Sequence, residues 1–549
     1  VPPHRSSFAR AGAPAIATAF VLVVGMAMAG CAGSSGRSSD DSSSGTGASP
    51  APTGAKLSTW SAKPKAAIDS FSWALSGEPS TFDWTKDNSS HSGRVLPNVV
   101  ERLFFKDPDG GRSPGLAVKL RTPSPRTIDV KLRRHVRFHD GSAMTARDVV
   151  ASLDRSRAKG SVWSYALRSI DDVTARGPYR VRISLSRPDS LVGSYLSTAA
   201  GTVESASFLK KAGDKYGSAP QYLDGTGAFT MTRWTRGTEI DLRRAPNYWG
   251  TPALARHVQM KIIEDSETRD QALASGEIDG SSAVGSGSAP EIKSPGGHMY
   301  YGAGTSTWSV ALFNSHGVLG DPRVRRALSL AINRAGLVAA ASNGTAVPAG
   351  DFAAPGLWPR GSDRLPPLRK DTAKATKLID AAGAQGKKLV LSYSAQSSTV
   401  TPMATAVRAA GQSIGLNIQL KEVSTAVTNA FVSDPKSRRG TDLSLAMIGS
   451  QSGDPLEVYR EFTPGGFLNF AGYSNAKLNA LVKSAARSES GAKRIAALKK
   501  ARGILLHDMP WIPLISSPVA VYFGKRVTGG PTNAAGTQNF PWAKYVGGR

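Results

Sequence analysis

Behind Asp321-Pro322, apolar residues recur at i, i+3, i+4, i+7 and i+8: Val324, Ala327, Leu328, Ala331 and Ile332. That spacing sets five side chains on one face of a helix. Asp321 suits the N-cap and Pro322 the first helical position. Thr145 and Asp148 have the [ST]-x-x-[DE] form of a second helix start, after the turn residues His139-Asp140-Gly141. Asp265 is predicted to cap a short helix through Arg269, Ala272 and Leu273 that stops at Gly276. Gly227–Leu242 reads as two strands around Arg236-Gly237. Lys388–Tyr393 reads as a strand, followed by a helix near Ala404–Ile414 and a strand at Leu416–Leu420. Strands alternating with helices predict α/β lobes. The stretch from residue 57 onward is too long for one ordinary domain, and no repeat of fixed 20–50 residue period runs through it.

The first 56 residues follow a different pattern. His4, Arg5 and Arg10 precede a stretch without charge from Ala11 to Gly36, mostly apolar over Ala15–Ala29 and ending in Met28-Ala29-Gly30-Cys31. A positive start, an apolar centre and small residues at a cut site predict a secretory leader over residues 1–30. The apolar run falls short of the ~20 residues that span a bilayer. A cysteine directly after the small residues resembles a bacterial lipobox, which implies that Cys31 carries a lipid and becomes the mature N-terminus. Residues 31–56, rich in Ser, Gly, Pro and Thr, cannot bury enough apolar surface to order themselves. They are expected to form a flexible tether a few nanometres long. Cys31 is the only cysteine, so no internal disulfide is possible, and a chain of this length needs none.

The chain carries 68 Lys+Arg against 41 Asp+Glu. Loss of residues 1–30 would remove only Arg5 and Arg10 and leave a net charge of +25. Such an excess draws a protein toward anionic lipid or cell wall. The basic residues are scattered and no nucleic-acid-binding signature accompanies them, so no nucleic acid partner is expected. No nucleophile elbow, phosphate loop or dinucleotide fingerprint appears. His135 and His139 lie in strand and turn and need not share a face, and no His/Cys cluster has metal-ligand spacing. The reading is of a binding protein rather than an enzyme, with no cofactor and no metal, acting as a monomer.

Six blocks then carry a family resemblance. Phe138-His139-Asp140-Gly141 with Thr145-Ala146-Arg147-Asp148-Val149 is similar to "F-H-D-G-x-x-x-T-A-x-D-V". Gly225-Thr226-Gly227-Ala228-Phe229 is similar to "G-T-G-P-F", with alanine for proline. Ala245-Pro246-Asn247-Tyr248-Trp249-Gly250 resembles "N-P-x-Y-W-G", with alanine for asparagine. Ala272–Asp279 matches "A-L-x-S-G-E-I-D". Phe313-Asn314 with Asp321–Leu328 matches "F-N … D-x-R-V-R-x-A-L". Asp454-Pro455 and Gly472-Tyr473-Ser474-Asn475 resemble "D-P … G-Y-S-N". In this order, over residues 70–525, they resemble the family 5 bacterial extracellular solute-binding proteins, the peptide/nickel-type receptors of ABC importers.

The resemblance implies an α/β, two-lobed periplasmic-binding-protein-like fold with an extra subdomain and a hinged ligand cleft. Residues 57–100, 218–306 and 525–549 would form the first lobe, 101–217 the extra subdomain and 307–524 the second lobe. It implies capture of a small peptide or similar polar solute, delivery to ABC permease subunits, and attachment to the cell membrane through the lipid on Cys31. A non-peptide solute (oligosaccharide or metal chelate) and a solute-sensing signalling role are the alternatives. Relatives that bind peptides hold the ligand main chain like an added strand. Here that implicates Asn88, Ser89 and Ser90 in the first lobe and Met447, Gly449 and Gln451 in the second. Typical peptide receptors pair the ligand ammonium with an aspartate four residues before the "D-P" proline; that position is Gln451. An amide supplies no countercharge, so either Asp454 or another acid replaces it, or the ligand has no free amine there. Trp308 is a candidate for stacking on the ligand, with Tyr473 and Trp84 as weaker ones.

Overall fold

The computed structural model describes residues 57–108, 111–284, 292, 295–313, 317–358, 366–394, 399–488 and 490–549. The expected leader, Cys31 and the tether to residue 56 lie outside the described residues, as does Asn314 of the Phe313-Asn314 pair. Most predicted elements form where the pattern placed them. The helix behind Asp321 is Pro322–Ala331, with the Asp321 side chain accepting from Arg323 N. Val324, Ala327, Leu328, Ala331 and Ile332 are all buried. Thr145 N donates to Asp148 Oδ2 at 2.7 Å and opens the helix Ala146–Arg157. Asp265 caps Ser266–Ser275, which ends at Gly276 with φ +82°. The hairpin strands are Phe229–Thr235 and Glu239–Arg244, and Lys388–Tyr393 is a strand as predicted. The helix expected at Ala404–Ile414 begins earlier, as Val400–Gln412, because Val400 and Met403 also belong to its buried face.

Two mixed sheets organise these elements. The first has the order 298–302, 519–523, 280–284, 68–75, 255–262, 239–244, 229–235. Its strand Ile68–Leu75 runs parallel to Ala255–Ile262 and to Gly280–Val284. Phe71, Trp73, Ala74 and Leu75 are buried, as a strand covered on both faces requires. The second sheet has the order 347–348, 511–516, 306–312, 443–449, 388–393, 417–422. Between residues 101 and 217, the strands 117–124, 127–132, 180–185 and 170–175 make a separate antiparallel sheet in that order.

The expected end of the second lobe at residue 524 is corrected by the pairing. Val519–Phe523 lies in the first sheet, antiparallel to both Gly280–Val284 and His298–Gly302. Its hydrophobic pattern fits either sheet; only the register with His298–Gly302 decides. The chain therefore passes from the first sheet to the second between Gly302 and Ser306, and returns between Ser516 and Val519. The two crossings touch. A Cβ on Gly304 would lie 2.1 Å from the Ser517 carbonyl oxygen, and one on Gly302 would lie 1.9 Å from that of Thr532. Thr307 Oγ1 and Ser516 Oγ are 2.9 Å apart where the crossings enter the second sheet. Glycine is required at 302 and 304 because two backbones run in contact there.

Buried polar clusters join the remaining blocks. Glu101, fully buried, accepts from Tyr248 Oη (2.7 Å), Trp249 Nε1 (2.7 Å) and Thr226 Oγ1 (3.0 Å). Burial raises its pKa, and these donors with Lys544 oppose the rise. The Gly225–Phe229 and Ala245–Gly250 blocks are thus pinned to one carboxylate, a structural role. The antiparallel subdomain also meets the second lobe, where Arg460 donates to Asp189 at 3.2 and 2.6 Å and Ser190 N donates to the Ala486 carbonyl at 2.8 Å. Glu101→Ala leaves three donors unmatched, each costing ~1–3 kcal/mol. We expect it to lower unfolding stability by about 3 kcal/mol in urea titration, with Glu101→Gln, which keeps one acceptor, losing less.

Candidate functional site

Asp87 shapes the first-lobe segment. Its carboxylate accepts from Ser80 N (2.9 Å), Ser80 Oγ (2.7 Å) and Ser89 N (2.6 Å). Ser89 then caps the helix Ser90–Val95, its hydroxyl accepting from Ser92 N at 3.2 Å. Ser90 Oγ accepts from Arg94 at 3.2 Å. The side-chain oxygens of Ser89 and Ser90 each accept a local hydrogen bond, while the main-chain pairing expected of this segment does not depend on them. Asn88 is half-buried and makes no side-chain hydrogen bond to a described residue. Trp84 is a core residue: it is fully buried, donates from Nε1 to Ser156 Oγ at 2.8 Å and packs edge-on against Tyr216. Its apolar surface is spent on the core, and it takes no part in the site.

In the second lobe, Leu443–Gly449 pairs along its whole length with Ser306–Leu312, from Leu443↔Leu312 to Gly449↔Ser306. On its other side only Leu443 and Ser444 pair, with Leu391 and Ser392. From Leu445 to Gly449 that side has no strand neighbour among the described residues. Asp442 accepts from Phe313 N and Ser450 N donates to the Thr305 carbonyl. By the antiparallel alternation, the main-chain groups of Leu445, Met447 and Gly449 then face the unpaired side. Met447 sits opposite Trp308 in a pair without direct main-chain bonds, where side chains approach most closely. Trp308 is half-buried against the second-lobe core.

The loop after this strand is tightly tied. Glu457 Oε2 accepts from Ser450 Oγ (2.7 Å), Ser452 N (2.8 Å) and Ser452 Oγ (2.6 Å). Asp454 caps the helix Pro455–Arg460, and Arg494 Nη2 lies 2.8 Å from both of its carboxylate oxygens. Lys106 donates to the Gly453 carbonyl at 3.4 Å, and burial lowers its pKa against the pull of Asp454. Asp454 is thus already paired with Arg494, and a ligand ammonium would have to share that carboxylate. Gln451, between these tied residues, is half-buried and makes no side-chain hydrogen bond to a described residue. Tyr473 donates to Asp508 at 2.6 Å, beside Asn475 Nδ2 at 2.9 Å, so its hydroxyl holds the Gly472–Asn475 turn to the long helix Ala492–Asp508. Its hydroxyl is thus engaged, while the expected stacking contact concerned the ring.

The candidates therefore separate. Asn88, Gln451, Trp308 and the open edge through Met447 and Gly449 remain uncommitted, while the side-chain oxygens of Ser89, Ser90, Asp454 and Tyr473 make internal hydrogen bonds. Sequence reasoning missed Glu457, although Asp454-Pro455-Leu456-Glu457 has the N-cap-to-N3 spacing of a capping box. It also missed Arg494 and Lys106. No local pattern points to them, since they reach this loop from 40 and 347 residues away. His139 Nε2 lies 2.9 Å from the Gly227 carbonyl, and no group of three or more His, Cys, Asp or Glu among the described residues is arranged to hold a metal.

A family model for the middle region of bacterial extracellular solute-binding proteins, family 5, matches residues 112–468. The glutathione-binding protein GsiB of Escherichia coli K12 is 26% identical over 471 residues, covering 83% of this chain and 90% of that protein. The binding protein AgaA of A. tumefaciens R10, solved with agropinic acid, superposes with TM-score 0.72 at 23% identity, covering 87% and 99%. DppA of Helicobacter pylori, solved with the peptide STSA, superposes with TM-score 0.71 at 21% identity, covering 88% and 99%. Removing the carboxylate of Asp454 strands a guanidinium whose side chain is 5% exposed. We expect Asp454→Ala to cost about 3 kcal/mol of stability, as breaking a buried pair does, measured by urea unfolding of the purified protein.

Proposed function

The chain belongs to the family 5 bacterial extracellular solute-binding proteins, and we propose that it captures a peptide or similar polar solute between its two lobes for delivery to an ABC importer. The observation that carries this reading is the open edge at Leu445–Gly449. An extended solute pairing there gains main-chain hydrogen bonds that are blind to side-chain identity. Trp308 and Met447 offer an apolar surface beside it, and Asn88 and Gln451 offer uncommitted amides. GsiB and DppA bind glutathione and a peptide, which supports a peptide-like cargo. The partners in this reading are ABC permease subunits, with the protein acting as a monomer and held at the cell membrane by a lipid on Cys31.

A second reading concerns the amine. Asp454 is engaged with Arg494, and Gln451 has no charge. A buried ammonium without a countercharge is costly. This favours a solute lacking a free ammonium at that end: a blocked peptide, a sugar-like solute or another polar acid, as AgaA binds agropinic acid.

Two outcomes check these readings. Gln451→Asp should strengthen binding of a free-amine tripeptide at least tenfold relative to its N-acetyl form in isothermal titration; an unchanged ratio places the ligand amine elsewhere. Cys31→Ser should release the protein from the membrane fraction while leaving solute affinity unchanged, read by fractionation and thermal shift on the released protein. A loss of affinity would tie the anchor to the binding site.

A further inference from the structure

Arg94 stands on the last turn of the helix that Ser89 caps, four residues beyond Ser90. Its residue is 7% exposed. Its three hydrogen bonds all end on neutral oxygens: Nε to Ser282 Oγ at 3.1 Å, Nη1 to Ser90 Oγ at 3.2 Å and Nη2 to the Ser282 carbonyl at 3.4 Å. A guanidinium carries five N–H donors, so two have no partner among the described residues. Burial drives the Arg94 pKa down to about 10, and the charge of Arg269 pushes it the same way, with no acid opposing them.

Several other buried or half-buried arginines of this chain are compensated, although Arg102, 1% exposed, also has no acid partner among the described residues and bonds only Asn539 Oδ1 and the Gln538 carbonyl. Arg155, Arg460 and Arg494 pair with Asp83, Asp189 and Asp454. Arg334, also without an acid, is held by four bonds to Ser329 and Pro513, three of them to main-chain carbonyls. Arg94 has one carbonyl, at the longest of its three distances. Arg269 is fully buried, and its Nε and Nη2 have no partner among the described residues. Its donors go to the Ile263 and Glu264 carbonyls through Nη1 alone. His91, beside Arg94, has its pKa lowered to about 4 by burial and then by Arg94, and its buried Nδ1 has no partner. The neighbourhood thus holds the Arg94 cation, a neutral imidazole and two serine hydroxyls; the Asp87 carboxylate acts on His91, and Asp270 and Asp265 act on Arg269, but no acid opposes the shift of Arg94 itself.

We infer that Arg94, flanked by Ser90 and Ser282, receives an anionic group of the solute, a carboxylate being the simplest. The inference rests on the reading that the Asn88–Ser90 side faces the ligand. An entering carboxylate supplies the countercharge this cation lacks and can take the two N–H donors that have no partner among the described residues in a charge-assisted bond. It also completes a pattern in the second lobe. There the acid near the open edge is paired with Arg494, and the position after the strand is an amide. Arg94 has no acid partner among the described residues, so this part of the site suits an anionic group of the solute.

The test is a thermal-shift and titration panel on the purified full chain. It pairs N-acetyl di- to tetrapeptide acids with their C-terminal amides, and adds sugar acids with their neutral sugars. For each pair that binds, the acid should bind at least tenfold more tightly than its neutral partner. Arg94→Gln should erase that difference, and Arg94→Lys should restore part of it. If peptide acids and amides bind equally, the anion site is wrong and the peptide reading stands. If sugar acids bind and every peptide fails, the anion site stands and the peptide reading falls. If no anionic member shifts the wild-type protein, the inference is overturned. The acid–amide comparison on wild type decides even if Arg94→Gln does not fold.

Discussion

The contact between the two crossings is the constraint on which the rest of the architecture depends. Each lobe is built on its own sheet, and the chain goes from one to the other and back through segments of only two or three residues. Because Gly304 lies against the Ser517 carbonyl, these segments act as one joint rather than two independent tethers. Few torsions lie between the two sheets at this joint. The same closeness explains why the second lobe is an insertion: the chain must leave and re-enter the first sheet at neighbouring strands, His298–Gly302 and Val519–Phe523.

Around that joint the charged residues divide into two kinds. Most buried carboxylates are spent on structure. Glu101 collects donors from two glycine- and aromatic-rich blocks, Glu457 ties down the loop before its own helix, and Asp454 is matched by Arg494. In a low-dielectric interior such groups hold the backbone because leaving any donor or charge unmatched is expensive. What remains uncommitted is correspondingly informative. Among the described residues, the open strand edge, the amides of Asn88 and Gln451 and two of the five N–H donors of Arg94 have no partner.

The local grammar of the chain was largely legible in advance. Asp321-Pro322, Thr145 with Asp148, and Asp265 with Gly276 each announce a helix boundary, because capping acts within four residues. The burial of Val324, Ala327, Leu328, Ala331 and Ile332 follows from helical period alone. The site was legible only in part. The position of Gln451 after a strand and before Asp454-Pro455 could be counted out. That Asp454 is already occupied could not, since Arg494 arrives from another helix. Asn88, Ser89 and Ser90 could be named as a segment, yet the capping role of Ser89 requires knowing where Asp87 turns the chain.

The sequence by itself determined the α/β character, the caps, the buried helix faces and the family to which the chain belongs. These depend on residues close together along the chain, where hydrophobic period and capping chemistry act. Only the tertiary structure decided which sheet Val519–Phe523 joins, which edge of Leu443–Gly449 stays open, and which charges are already paired. Those outcomes rest on contacts between residues tens to hundreds of positions apart, and no local pattern encodes them.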